Sequence, residues 1–296
     1  IARDPFLQPK AALQRQKDVL DQMRLQGYIS SEQERTALIE SAQPHFLHRG
    51  LLPNDLAPHF VNYAINELAT TLHVKRLDLA RAGLIVSTTL DLSLQNQIIK
   101  IAQKHIGELA AAHNMTNAAV VMIDFHNGAI RTLVGSIDPK HPDFDVASQG
   151  FRQSGSSFKP FIYATAFAEG LSPGMPVVDA PLTIPMCCGL PAYTPSNYDL
   201  RYHGLLSYRR ALQNSFNIPA VKVLLKTGVD AALHTAQVMG ITKYVGIPNY
   251  TMVLGTLGVH LLDETSAYGV FANGGVRILP HAIDTVVDVQ GNLIYH

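Results

Sequence analysis

Apolar positions recur at helical spacing in several stretches of the chain, and β-branched runs interrupt them in others. From Ala11 to Gly27, Leu13, Val19, Leu20, Met23 and Leu25 form one apolar stripe among Gln and basic residues, which predicts a surface helix closed by Gly27. Ser30 or Ser31 caps the next helix, and Ser31 with Glu34 has the spacing of a capping box. The stretch from Gln43 to Pro58, with Pro44, Gly50 and Pro53, reads as loop and as a first boundary. A helix follows from about Pro58 to Leu72, then a β-branched run at Gly83–Leu90 that reads as a strand, then a long helix at Leu92–His113. Ala118–Ile123 and Ala129–Val134 flank Asn127-Gly128, the strongest short hairpin signal in the chain.

Beyond a loop at Ser136–Gln149 the pattern is mostly helix and loop. Helices are predicted at Ser157–Glu169, Ser207–Asn214, Pro219–Lys226 and Asp230–Met239, with an irregular Pro-rich stretch at Pro173–Pro195. A second hairpin closes the chain at Ala282–Tyr295. There is no internal repeat and no low-complexity tract.

Composition narrows the function classes. At about 100–200 residues per domain, 296 residues suggest two domains or one large one. Apolar residues are 47%, enough to build a core, so disorder is not expected. Lys+Arg and Asp+Glu number 23 each, which argues against a nucleic-acid partner. No apolar run reaches the ~18–20 residues of a membrane span, and the start, Ile1-Ala2-Arg3-Asp4, is not a signal peptide. A first residue other than Met is what a processed or shortened chain would show. The adjacent Cys187 and Cys188 read as loop cysteines rather than a disulfide framework or a metal site. His45 and His48 lack an acidic partner at ligand spacing and read as surface histidines. Asp91, Asp124 and Asp179 fall at strand or turn edges and suggest no chemistry of their own.

The stretch richest in chemistry is Arg152-Gln153-Ser154-Gly155-Ser156-Ser157-Phe158-Lys159-Pro160-Phe161. Pro160 must lie in the first turn of its helix, so the helix is expected to begin at Ser156 or Ser157. Ser156 then sits at the positive end of the helix dipole, and Lys159 returns to the same face one turn later. A serine and a desolvated lysine in this relation can act as nucleophile and base. The alternative is a capping serine with a surface lysine. A second constellation, Asn214-Ser215-Phe216-Asn217, presents a hydroxyl and a carboxamide between two helices. Alone it reads equally as a cap followed by a turn.

In this order and context the two motifs resemble the penicillin-interacting serine acyltransferases, which carry Ser-x-x-Lys and Ser-x-Asn, and within them the class A (bifunctional) penicillin-binding proteins. The flanks share the resemblance: Gly83–Asp91 with Gln95, Tyr193–Tyr198, Ala211–Val221, and Ala267–Gly275 with Pro280. Ser154 stands where the family usually has proline. The resemblance implies an α/β (α+β) fold, an antiparallel sheet flanked by helices, with strands missing at the C-terminus. It divides the chain into the helical tail of a glycosyltransferase domain (1–41), a linker (42–82) and a transpeptidase domain (83–296). The implied reaction is peptidoglycan cross-linking: Ser156 attacks, Lys159 accepts its proton, Ser215 passes a proton to the leaving D-Ala, and Asn217 orients substrate and lysine.

Peptidoglycan stem peptides and β-lactams are the implied partners, along with other cell-wall synthesis proteins, and neither a metal nor an organic cofactor is required. The implied location is the bacterial cell membrane, with the catalytic domain facing outward. Two rivals are a carboxypeptidase- or β-lactamase-like hydrolase and a non-catalytic scaffold of the same fold. The family's third motif, Lys-Thr-Gly, belongs on a strand. Lys226-Thr227-Gly228 instead ends a helix, with Gly228 as its C-cap, so the working copy is expected beyond His296. The full-length protein is therefore expected to be labelled by penicillin, and residues 1–296 alone to label poorly.

Overall fold

The computed structural model describes residues 8–43, 56–79, 81–137, 144–185 and 191–296. Cys187, Cys188, His45 and His48 lie outside them. The chain separates into two compact units, Ile1–Leu56 and Ala57–His296.

The first unit holds α1 (Pro9–Leu25) and α2 (Ser31–Ser41). The cap of α2 is Ser30, not Ser31. The Ser30 hydroxyl accepts the Gln33 amide at 3.1 Å, and the Gln33 side chain accepts the Ser30 amide at 2.8 Å, so the capping box lies one residue earlier than its acidic variant suggested. Glu34 is thereby free to pair with Arg24 of α1, at 2.6 Å.

The second unit begins with α3 (Pro58–Thr71), α4 (Arg76–Leu79), β1 (Ile85–Thr88) and α5 (Leu92–His113). Asp91 caps α5, its carboxylate accepting the Leu94 amide at 2.9 Å. The expected hairpin forms as β2 (Val120–Ile123) and β3 (Ile130–Val134), with Val120 opposite Val134. Gln95 is buried on α5 and exchanges two hydrogen bonds with the Leu133 backbone, at 3.1 and 3.0 Å, so its amide extends the hairpin edge as a surrogate peptide unit.

The short β4 (Arg152–Gln153) leads through a 3-10 turn, Gly155–Phe158, into α6 (Lys159–Ala168). The stretch predicted as irregular contains β5 (Pro176–Asp179), which pairs with β6 (Gly204–Ser207). Then come α7 (Tyr208–Gln213), α8 (Asn217–Thr227), α9 (Val229–Met239), β7 (Tyr244–Val245), β8 (Gly258–Val259) and α10 (Leu261–Ala272). The closing hairpin is β9 (Ile283–Val287) and β10 (Leu293–Tyr295).

Among the described residues all strand pairs are antiparallel, in four small sheets: β1-β9-β10, β2-β3, β4-β8-β7 and β5-β6. A bridge from Ala129 to His281 links the β2-β3 hairpin to the strand region before β9. Thr89 is buried at that junction, donating toward the Ile130 and His281 carbonyls at 2.8 and 3.2 Å. Glu67 of α3 accepts the Ala282 amide on both carboxylate oxygens, and burial still pushes its carboxyl up.

The largest core lies under the candidate site. Phe158, Phe161, Ile162, Tyr163 and Ala166 around α6 pack with Val221 and Leu224 of α8, Ala232 and Ala236 of α9, and Ala267 of α10. Full burial of one such side chain contributes roughly 1.5–3 kcal/mol, so the helix that carries Lys159 is firmly anchored in that core.

Candidate active site

The nucleophile segment is built by backbone pairing. β4 pairs with β8, Arg152 opposite Val259, and carries the chain to a tight turn at Gly155, φ 60°. The α-helix begins at Lys159, later than Pro160 alone suggested, because the preceding four residues wind as 3-10. The tighter winding is terminated by Pro160, which has no amide to continue it, and Ser156 is left exposed at the mouth of the α6 N-terminus. A second glycine seats the turn. Gly255, φ 67°, lies so close that a Cβ there would meet the Gly155 nitrogen at 2.1 Å.

Ser157 faces inward. Its hydroxyl lies 2.6 Å from the Ser154 carbonyl and 2.7 Å from Glu264 Oε1 of α10. Burial holds the Glu264 carboxyl up. The Tyr268 hydroxyl donates to the Ser157 carbonyl at 2.6 Å, and burial beside Glu264 raises that phenol to about 12. α10 thus clamps the turn from behind while Ser156 stays open in front. Ser154, in the place the family usually gives to proline, has a buried hydroxyl without a partner among the described residues.

Lys159 is 1% exposed. Its Nζ donates to the Ser215 carbonyl at 2.5 Å, Asn217 Oδ1 at 2.7 Å and Ser215 Oγ at 3.1 Å. These three acceptors match the three protons of the ammonium ion. Burial nonetheless lowers its pKa to about 8, since no carboxylate pairs with it. In the free amine the lone pair is available to a hydroxyl, and Ser215 can turn its own proton toward it.

The second motif lies between α7 and α8. Ser215 is at φ 55°, a left-handed conformation that serine adopts only when its surroundings impose it. Its amide and that of Phe216 close the end of α7 on Leu212 and Ala211, at 2.9 and 3.1 Å. Asn217 opens α8, its amide donating to Asn197 Oδ1 and its Nδ2 to the Ser196 carbonyl, both at 2.8 Å. The structure therefore brings Lys159, Ser215 and Asn217 into one hydrogen-bonded cluster and sets Ser156 on the turn that leads into Lys159. Lys226-Thr227-Gly228 is the end of α8, Gly228 its C-cap at φ 88°, and no described strand carries that tripeptide.

Glu264, Tyr268 and Asn197, which brace the two motifs, were not legible as their partners. Each acts across a long sequence separation and no local spacing marks them. The resemblance did cover the segments of Asn197 and Tyr268.

The buried amine, the adjacent serine and the hydroxyl–carboxamide loop suit acyl transfer through a covalent intermediate, and with the fold they define a serine acyltransferase class. Residues 118–295 match the penicillin binding protein transpeptidase domain, so the chain belongs to the penicillin-binding transpeptidase family. It is 37% identical over 180 residues to penicillin-binding protein 1A of Neisseria cinerea, covering 60% of this chain and 23% of that one. It is 30% identical over 293 residues to penicillin-binding protein 2D of Bacillus subtilis, covering 98% and 41%. It thus spans less than half the length of these curated relatives. Among solved structures, PonA1 from Mycobacterium tuberculosis in complex with penicillin V superposes with a TM-score of 0.69 at 27% identity, covering 80% of this chain and 64% of that one. Penicillin-binding protein 1A from Haemophilus influenzae, at 21% identity, shares the fold over 99% of this chain and 57% of its own, with a TM-score of 0.73.

Proposed function

We propose that the chain is the transpeptidase part of a bifunctional peptidoglycan synthase and acts on stem peptides ending in D-Ala-D-Ala. The observation that carries this is the buried Lys159, bonded to Ser215 and Asn217 and one turn from the exposed Ser156. In this reading Ser156 Oγ attacks the penultimate D-Ala carbonyl while neutral Lys159 accepts the hydroxyl proton. The C–N bond breaks, and the terminal D-Ala leaves as an amine after receiving that proton through Ser215. The amine of a second stem attacks the Ser156 ester, forms the cross-link and returns the proton to Ser156. Asn217 holds Lys159 and the substrate amide in register. β-Lactams acylate Ser156 as mimics of the stem terminus, and the penicillin V complex of the similar PonA1 supports this.

Residues 1–41 are read as the tail of a glycosyltransferase domain, 42–82 as a linker and 83–296 as the transpeptidase domain. The likeness to penicillin-binding protein 2D extends over nearly the whole chain, and α3, within the proposed linker, already belongs to the second compact unit, Ala57–His296. The full-length protein is placed in the bacterial cell membrane with this domain outside, although no described helix is long and apolar enough to cross a membrane. Labelling the full-length protein with a fluorescent penicillin tests the reading: covalent label at Ser156 is expected, and an unlabelled protein rejects it.

A further inference from the structure

Asp179 ends β5 opposite Gly204 of β6 and is 0% exposed. Its Oδ2 gathers three donors: Asn197 Nδ2 at 2.8 Å, the His203 amide at 3.0 Å and His203 Nδ1 at 2.7 Å. Each of those two residues reaches the second motif. Asn197 Oδ1 accepts the Asn217 amide at 2.8 Å and the Ile218 amide at 3.3 Å, so it caps α8 from outside its own sequence. The His203 ring stacks on Phe216 with centroids 3.9 Å apart and planes 18° from parallel, and Asp199 holds its other nitrogen at 3.1 Å. Phe216 and Asn217 are thus gripped from two directions, and Ser215, the residue before them, is the one in the strained left-handed conformation. A buried carboxylate that only stabilised the β5-β6 hairpin would not need both of its partners to end on that loop.

We propose that Asp179 is a positioning residue of the active site: through Asn197 and His203 it fixes the backbone of Phe216 and Asn217, so that Ser215 and Asn217 face Lys159. This rests on the reading in which Ser215 and Asn217 serve acylation of Ser156. Asp179 touches neither substrate nor Lys159, and its effect passes through the loop.

The test uses the full-length protein and penicillin, resolving the acylation rate constant from the dissociation constant of the complex that precedes it. Asp179→Leu, which keeps bulk but removes the acceptor, is expected to slow acylation about 30-fold with the dissociation constant changed less than about threefold. Asp179→Asn retains an acceptor oxygen and is expected to recover the rate to within about fivefold of the parent. In a Ser215→Ala background, Asp179→Leu is expected to cost clearly less than in the parent, because the part of its effect that passes through Ser215 is already lost. Acylation by Asp179→Leu within about threefold of the parent overturns the proposal, as does full additivity with Ser215→Ala. If Asp179→Leu shows no cooperative melting transition, His203→Ala and Asn197→Ala replace it, and additivity of both with Ser215→Ala overturns the proposal. Parent-like acylation by Ser215→Ala alone defeats the relay reading and the proposal with it, whereas slow Ser215→Ala beside fast Asp179→Leu defeats the proposal only.

Discussion

The two arms of the site are held in different ways. The Ser156 arm is rigid because of local backbone: a strand pair, a 3-10 turn seated glycine against glycine, and a helix anchored in the largest core. The Ser215–Asn217 arm is a loop between two helices, held in a strained conformation by side chains from elsewhere. In the proposed reaction one arm presents the attacking hydroxyl and needs a fixed position. In that reading the other passes a proton from Lys159 on to the leaving group, and a hydroxyl on a braced loop can turn without moving the chain. Lys159 joins the arms, and its lowered pKa follows from being buried where they meet.

The sharpest way to break the comparison is to remove the joint. Lys159→Gln is one atom shorter and keeps a hydrogen-bonding end but abolishes the base, and should slow acylation by about 10²–10⁴-fold as measured by penicillin labelling kinetics. Next in size is pH. The base acts deprotonated, so below its pKa of about 8 the acylation rate should fall about tenfold per pH unit, and above it the rate should level off. A pH–rate profile of acylation checks this, and a flat profile between pH 6 and 8 would remove Lys159 from the role. On the nucleophile arm, Gly255→Ala puts a Cβ into the Gly155 backbone and should cost about 1–3 kcal/mol, seen as a lower denaturation midpoint. Away from both arms, Asp91→Ala removes only the cap of α5 and should cost about 1 kcal/mol, with acylation unchanged.

The same contrast explains what the sequence showed. The Ser156–Lys159 pair and the Asn127-Gly128 hairpin were legible because their signals lie within a few residues. Leu92–His113 came out with its bounds intact because the apolar period and the turn residue Asn114 at φ 51° agree. β5 was hidden in a stretch whose Pro content reads as loop, and its partner β6 lies more than twenty residues away. β4, β7 and β8 are two residues each, too short for an alternating pattern. α10 was not predicted as a helix because Leu262, Ala267 and Val270 are buried together with Glu264 and Ser266, so no polar face sets off an apolar one. Lys226-Thr227-Gly228 was read correctly as a helix end, since the apolar period of Ala220, Val221, Leu224 and Leu225 runs straight into Gly228.

The central claim is that Ser156 becomes the acylated residue. Mass spectrometry of the full-length protein after reaction with penicillin tests it most directly. One penicilloyl adduct on the peptide containing Ser156, absent in Ser156→Ala, is the predicted result. An adduct on Ser157, or one that survives Ser156→Ala, would contradict it.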